Sequence, residues 1–371
     1  MPDLASTQTL FIPNPRDAYY KTNVIDPPYW FRDRQIRMIE LEDIYMEGKD
    51  GVLYKDSPSC LMFSGDHACL QIIQDEHFVL QSTATIVEQR CSTTVGCADL
   101  VQNNQGNYYH FLIEGVGKLL LFRKSLPEEV YYVVPETARQ LYAQIIPLLG
   151  LSSDRFIYYN HEPRSKRLNF KRLFVMDYEG ATDFNDTWSV YQPPRHALQL
   201  LAATIISTPP IAKWLSQQEK SKIVYVSRRD AGVRIVQHEE LLIEALEKEF
   251  GEEMIDLFVG KTMPIEDQIK MFANARMIIG PHGAAMSNLV FCRPQTIVIQ
   301  FPLAPLVDTC FLHISAAMDL NLYLYHPISS YYYGNYNITP DMVQPFMDFV
   351  IDLYRNQPIP QQHKLLSKEE L

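Results

Sequence analysis

Two hydrophobic patterns alternate along most of this chain. Short, nearly continuous apolar runs such as Lys222 to Ser227 and Thr296 to Phe301 predict buried strands, whereas His238 to Phe250 and Ile265 to Ala275 have the periodicity of helices. Parallel strands need crossover connections, which are usually helices. The alternation therefore predicts an α/β fold with a parallel sheet covered on both faces.

The hydrophobic pattern of the first 105 residues differs from that of the rest of the chain. Residues 1 to about 105 contain short alternating apolar runs separated by turn-forming residues, which predict a β-rich lead-in. From Tyr108 onward the pattern predicts alternating helices and strands. The other predicted strands are Val130–Val134, Arg172–Met176, Met254–Phe258 and Arg276–Gly280, and the other predicted helices are Thr137–Leu149, Ala284–Leu289, Leu306–Met318 and Asp341–Arg355.

Paired prolines mark the predicted domain boundary. Pro193 and Pro194 precede a helical segment and Pro209 and Pro210 interrupt it, as suits an inter-domain connection. We predict an N-terminal α/β domain over residues 1–210, a Rossmann-like domain over 211–340 and a final helical segment over 341–371. The Rossmann-like half lacks G-x-G-x-x-G, so a nicotinamide or flavin dinucleotide is not its natural ligand.

Composition excludes several classes of partner. The 371 residues carry 33 basic and 44 acidic side chains, a net charge of −11, which argues against nucleic acid or an anionic membrane as the main partner. Six cysteines form no C-x-x-C pair, so no metal site is predicted. No segment is apolar enough for a signal peptide or a membrane span. We expect a cytoplasmic protein; a catalytic fragment from the secretory lumen is the alternative.

A small-residue turn follows the strand at Arg276–Gly280. There the free N–H groups at a helix start favour an anion, and the small side chains let a phosphate approach. As an alternative to ligand binding, His282 could satisfy backbone groups beside the turn. Asn288 could instead cap or bridge the next loop. The candidate ligand-binding residues are His282, Gly283, Ala284, Ala285 and Asn288.

Three arginines follow the strand at Lys222–Ser227. Arg228, Arg229 and Arg234 are predicted to lie at the carboxyl end of this strand, the edge where open α/β sheets bind ligands. Guanidinium groups recognise phosphate by paired hydrogen bonds and neutralise a departing diphosphate. The alternative is a solvated basic loop with surface ion pairs.

A third group of residues lies in the N-terminal half. Asn107 can cap a helix whose first turns place His110 and Glu114 on one face at spacing i, i+4. A carboxylate beside an imidazole orients the ring and raises its basicity, as a general base requires. The alternative is a surface pair or a satisfied core pair without a catalytic role.

Taken in order, these motifs resemble glycosyltransferase family 61, which includes plant β-1,2-xylosyltransferases and animal protein O-linked N-acetylglucosaminyltransferases. The likeness covers roughly residues 90 to 345 and is strongest from 222 to 301. Its most specific part is Pro-His-Gly-Ala with the downstream Asn288 and Phe291. The motifs are Asn107-Tyr-Tyr-His110, Ser227-Arg-Arg-Asp-Ala-Gly-Val-Arg234 with His238-Glu239, Gln268 to Ala275, and Gly280 to Asn288.

The resemblance implies a GT-B architecture, with two Rossmann-like domains facing across a cleft and a terminal helix that crosses back onto the first domain. It implies an inverting, general-base and metal-independent transfer of xylose or N-acetylglucosamine from a UDP-sugar, with no cofactor. The acceptor would be a hydroxyl of a glycan, glycoprotein or glycolipid. Two positions depart from the family pattern: Gln237-His238 stands where an Asn commonly precedes the Glu, and Gln300 replaces a common acidic residue.

Two other classes of function are alternatives to the transferase. A catalytically inactive glycan- or nucleotide-binding pseudoenzyme would keep the fold without turnover, but Asn107, His110 and the three arginines are all present. A phosphate-ester hydrolase would need a nucleophile or metal-binding carboxylates at a first strand end, which are not evident. The sequence therefore favours the transferase.

Overall fold

The chain is described from a computed structural model. Its contacts divide it into two compact units, one within Arg32–Leu201 and the other within Ala202–Leu371. Within the described parts, every helix is too short or too polar to cross a bilayer. The described residues are 36–47, 52–54, 60–61, 77–80, 84–86, 107–159, 167–178, 195–218, 221–303, 310–331 and 333–363.

The N-terminal unit is built on one eight-stranded mixed sheet. Its order is β3-β2-β1-β8-β5-β6-β7, and β4 pairs with β8 beside β5. Strands β4 to β7 pair in parallel, but β1 and β2 are antiparallel to their neighbours. The strands are β1 Ile36–Glu47, β2 Val52–Tyr54, β3 Cys60–Leu61, β4 His77–Leu80, β5 Ala84–Ile86, β6 Tyr131–Pro135, β7 Phe156–Tyr159 and β8 Arg167–Tyr178.

Antiparallel pairing joins the lead-in to the sheet of this unit. Strands β1 and β8 both have 12 residues and run side by side from the pair Ile36–Tyr178 to the pair Met46–Leu168. The lead-in is β-rich, as predicted, but it widens the sheet of the unit. Periodicity indicates that a segment is a strand and does not indicate its partner, so this long-range pairing was not readable from the pattern.

The helices of the N-terminal unit include one π-helical turn. A π-helix at His110–Val116 runs directly into α1, and aromatic packing holds it in the core: the Phe111 ring meets Tyr142 edge-on at 4.9 Å. Short 3₁₀ turns lie at Arg123–Ser125, Glu136–Ala138 and Ser153–Arg155. The α-helices are α1 Gly117–Phe122, α2 Arg139–Leu148 and α3 Arg195–Ile206, the last spanning the boundary between the units.

The C-terminal unit has a five-stranded sheet in which every pair is parallel, in the order β11-β9-β12-β13-β14. Short strands β10 and β15 form a separate parallel pair. The strands are β9 Lys222–Ser227, β10 Val236–Gln237, β11 Ile255–Val259, β12 Ala275–Pro281, β13 Ile297–Phe301, β14 Asn321–Leu324 and β15 Tyr336–Asn337. The helices are α4 Pro209–Ser216, α5 Glu240–Phe250, α6 Ile265–Ala273, α7 Cys310–Ala317 and α8 Pro340–Asn356, with 3₁₀ helices at Glu252–Met254 and Ala284–Phe291.

This arrangement confirms the α/β fold class predicted from the alternating patterns. The central strands are buried on both faces, which is why they read as continuous apolar runs. On one face, Tyr225 and Ile279 join a core completed by Leu242 of α5 and by Phe346 and Val350 of α8. Helix α8 thus packs in the C-terminal unit, and its predicted crossing onto the first domain stays a prediction.

Candidate active site

The strand order of the C-terminal unit defines where a ligand is expected. From β9 the chain passes to β11 on one side and then to β12 on the other, so the direction of winding reverses between β9 and β12. Open α/β sheets bind ligands outside the carboxyl ends of the strands at such a switch point. Here those ends carry Arg228 and the turn that begins at His282.

Arg228 connects the two motifs at the switch point. Its guanidinium lies against the Gly283 backbone, where a Cβ on residue 283 would stand 2.8 Å from Arg228 Cζ. Its Nη2 donates to the Val233 carbonyl at 3.2 Å, and no carboxylate of a described residue pairs with it. Burial, and then the charge of Arg234, lower the pKa of Arg228 to about 10. An anion at this position would relieve both costs of the charged form.

Arg229 has a different environment from its neighbour. Its Nη2 forms an ion pair with Glu239 Oε1 at 2.8 Å, and Ser227 Oγ donates to the same oxygen at 2.8 Å. Glu239 is buried, so this pair neutralises a carboxylate inside the fold. Arg229 is one of the three predicted phosphate ligands. In the structure its partner is the Glu239 carboxylate, and this ion pair fixes the loop after β9.

The segment between β9 and α5 contains two residues with left-handed backbone. Arg234 has φ 59° and His238 has φ 60°, conformations that cost most non-glycine residues free energy and that cluster at functional sites. The Arg234 N–H donates to the Gly334 carbonyl at 3.1 Å, which holds the strained turn. Histidine is among the residues that tolerate this conformation, so the backbone here is compatible with His238.

The small residues of the second motif are required by close approach. A Cβ on Gly280 would lie 2.7 Å from the Val226 carbonyl oxygen of the adjacent strand, and one on Gly283 would overlap the Arg228 guanidinium. The predicted short helix that follows is a 3₁₀ helix, and Ala284 and Ala285 at its start are partly exposed. The N–H groups of this turn lie at the same sheet edge as Arg228.

His282 is buried and contacts a backbone carbonyl, an aromatic ring and an amide. It is 4% exposed, its N–H donates to the Phe301 carbonyl at 3.1 Å, and its ring packs on Phe311 at 4.9 Å between centroids. Gln300 Nε2 lies 3.0 Å from His282 Nδ1. With the Gln300 amide nitrogen assigned as the donor, Nδ1 accepts and the neutral ring carries its proton on Nε2. In this orientation the Gln300 amide selects the Nε2–H tautomer of His282.

Replacing Gln300 with glutamate should change the protonation of His282. In Gln300→Glu the carboxylate accepts from an Nδ1–H, which moves the ring proton to Nδ1 and favours imidazolium. Nitrogen-15 NMR of histidine-labelled protein, with His282 assigned by its loss in His282→Gln, reads the tautomer directly. Gln300→Met is the uncharged control. A wild-type ring protonated on Nδ1 would contradict the assignment.

Asn288 bridges parts of the fold. The side chain is fully buried, and its Nδ2 donates to Gln268 Oε1 at 3.1 Å and to the Ala285 carbonyl at 3.2 Å. Gln268 in turn donates to the Met263 carbonyl at 2.8 Å. The structure thus supports the bridging alternative, since this amide has no exposed surface for a ligand. Its effect on the site is to fix the 3₁₀ helix against α6.

The predicted general base lies in the N-terminal unit. As predicted, Asn107 caps the helix: its Oδ1 accepts from the Tyr109 N–H at 2.9 Å. His110 is partly exposed and begins the π-helix, a feature that is frequent at functional sites. The Glu114 side chain lies outside the described residues, so its contact with His110 stays a prediction.

The structure adds two residues that motif reading did not place in the site. Glu239 appeared only as part of a motif, yet its carboxylate organises Ser227 and Arg229. Tyr336 is fully buried and its hydroxyl donates to the Phe301 carbonyl at 3.0 Å. The sequence around it, Tyr331-Tyr-Tyr-Gly-Asn-Tyr336, gave no signal of this contact. Among the described residues, no group of three or more His, Cys, Asp or Glu side chains could hold a metal ion.

Comparison with known families identifies the family of this chain. A family model described as Glycosyltransferase 61 matches residues 108–299, just over half of the 371 residues. The matched range includes His110, the loop from Arg228 to Arg234 and the turn at Gly283. No curated protein matches the chain. The chain belongs to glycosyltransferase family 61 and is a glycosyltransferase enzyme.

Proposed function

We propose that this protein transfers a sugar, xylose or N-acetylglucosamine, from a UDP-sugar to a hydroxyl of a glycan, glycoprotein or glycolipid with inversion. The donor diphosphate would bind at Arg228, Arg234 and the turn from His282 to Ala285. The GT-B arrangement of the two domains, which the family resemblance implies, belongs to this proposal. No cofactor or metal ion is needed.

One observation carries the proposal: two motifs 55 residues apart meet at the topological switch point. The Arg228 guanidinium lies on the Gly283 backbone and has no carboxylate partner among the described residues. A partly buried cation beside a small-residue turn at a strand end suits a diphosphate, because the guanidinium and the backbone N–H groups both donate to anionic oxygens.

The chemistry follows from these groups. In the proposed step His110 takes the proton of the acceptor hydroxyl. The hydroxyl oxygen at the same time forms a bond to the anomeric carbon of the donor sugar. The bond from that carbon to the diphosphate oxygen breaks, and the electron pair leaves with UDP. Arg228 and Arg234 stabilise the negative charge that develops there, which is the work a metal ion does in other transferases. Asn107 fixes the start of the His110 helix, and Glu114 orients the imidazole.

Thermal unfolding of the full chain tests the donor site. UDP at about a hundred times its Kd should stabilise the protein by about 2.7 kcal/mol and raise Tm by on the order of 5 °C. GDP and CMP serve as matched controls, and each nucleotide is measured with and without EDTA. If none of the nucleotides raises Tm, the donor site is contradicted. If EDTA abolishes the Tm shift caused by UDP, metal independence is contradicted. UDP binding without sugar transfer would indicate a pseudoenzyme.

A further inference from the structure

We propose that Tyr331 and Tyr333 form an aromatic platform that binds a pyranose ring of the acceptor glycan beside the donor site. The tyrosine platform, as these two side chains are called below, rests on the proposed transferase function. The assignment to the acceptor rests on the exposure of the two rings, on the rigidity of the turn that carries them and on the attachment of this turn to the loop from Arg228 to Arg234. This loop is called the arginine loop below.

The tyrosine platform is unusual in its exposure. Tyr331 is 74% exposed and Tyr333 is 75% exposed, and among the described residues the other exposed large apolar side chain is Ile359 at 69%. Other tyrosines of the same unit, such as Tyr225 and Tyr323, are buried in its core. Exposed aromatic rings are typical of binding surfaces, because burial of their faces by a ligand is favourable.

The turn that carries the tyrosine platform is held by its own hydrogen bonds. The Gly334 N–H donates to the Tyr331 carbonyl at 2.9 Å, and Ser330 Oγ donates to the Asn335 carbonyl at 2.9 Å. Gly334 is packed closely, since a Cβ there would lie 2.7 Å from Ser330 Oγ. The turn is therefore ordered before a ligand arrives, which lowers the entropy cost of binding.

The same turn is fixed to the loop that carries the donor-site arginines. The Gly334 carbonyl accepts from the Arg234 N–H at 3.1 Å, and Asn335 Oδ1 accepts from the Ile235 N–H at 3.0 Å. Strand β15 then pairs with β10, and the buried Tyr336 reaches the end of β13. The tyrosine platform thus extends the surface that begins at Arg234.

The exposure of both rings favours a sugar over the nucleobase of the donor. Small-molecule ligands are typically enclosed in concave pockets that bury most of their surface. An acceptor glycan is larger and extends beyond the site of transfer, so it can cover rings that stand in solvent. The C–H faces of β-linked pyranoses match the negative faces of tyrosine rings.

Saturation-transfer NMR with xylotriose, mannotriose and triacetylchitotriose tests the tyrosine platform on the full chain. We expect at least one trisaccharide to bind wild type, and the double variant Tyr331→Ala, Tyr333→Ala to weaken that binding at least tenfold. The double variant Tyr331→Phe, Tyr333→Phe keeps the rings and should bind within about threefold of wild type. Ile359→Ala is the control for loss of an exposed apolar side chain elsewhere.

UDP titrations of the same proteins separate the possible failures. If wild type binds UDP but none of the trisaccharides, or if the alanine variant binds a trisaccharide as wild type does, the tyrosine platform is overturned. If the alanine variant instead loses UDP affinity, the rings hold the nucleobase and the acceptor assignment is overturned. Failure of wild type to bind UDP contradicts the proposed donor site while leaving the trisaccharide result to decide the tyrosine platform.

Discussion

Arg228→Met should weaken UDP binding by about a hundredfold, measured by isothermal titration calorimetry. Removing a charged hydrogen-bonding partner of a partly buried anion costs about 3 kcal/mol, which corresponds to that factor. Methionine keeps much of the side-chain volume, so the variant should fold. The Arg228 guanidinium lies on Gly283, and a nearby carboxylate, that of Glu239, forms its ion pair with Arg229 instead.

The adjacent arginine provides a contrasting variant. Arg229→Met should change UDP affinity by less than about fivefold and should lower Tm, because it leaves the buried Glu239 carboxylate without its ion pair. Equal losses of UDP affinity in Arg228→Met and Arg229→Met would contradict this difference in roles, in which Arg228 binds the ligand and Arg229 stabilises the fold.

Gly283→Ala should reproduce the Arg228 defect without removing a charge. The added methyl group would overlap the Arg228 guanidinium and displace it, whereas Gly232→Ala in the arginine loop meets nothing within 4 Å and should behave as wild type. Combining Gly283→Ala with Arg228→Met should add little to Arg228→Met alone, since both changes act on one contact. Additive losses of UDP affinity would contradict this shared role.

The sequence predicted the elements of the C-terminal sheet because its strands are buried on both faces. Ile223 to Val226 and Ile297 to Phe301 are apolar at nearly every position, and the helices between them keep one apolar stripe. Such patterns depend on neighbours along the chain, so they are readable locally. The site at the strand ends followed from the same reasoning, because parallel strands share one carboxyl edge.

The features that were not predicted depend on contacts distant in sequence. Nothing local to Arg229 shows that its partner is Glu239, ten residues later. The contact between Gln300 and His282 joins β13 to the residue that follows β12. The hydrogen bond from the Ile235 N–H to Asn335 Oδ1 joins residues 100 positions apart. Periodicity and turn chemistry carry no information on such partners, which tertiary packing selects.

His110→Ala should lower kcat by about a hundredfold or more and leave the Kd for UDP within about twofold of wild type. A general base contributes this much because it removes the acceptor proton as the new bond forms. The measurement is UDP release from UDP-xylose or UDP-N-acetylglucosamine, with UDP binding measured separately. His196→Ala, at an exposed position of α3, is the matched control and should retain wild-type turnover.

Position as well as chemistry is expected to matter for His110. The Asn107 cap sets where the helix begins, and buried Leu112, Ile113 and Val116 fix the π-helical turn in the core. Asn107→Asp keeps an oxygen that accepts from the Tyr109 N–H and should retain activity, whereas Asn107→Ala should lower both kcat and Tm. Full turnover in His110→Ala would remove the base from the mechanism, whatever the arginines contribute. Loss of UDP binding in that variant would instead make His110 a donor-site residue.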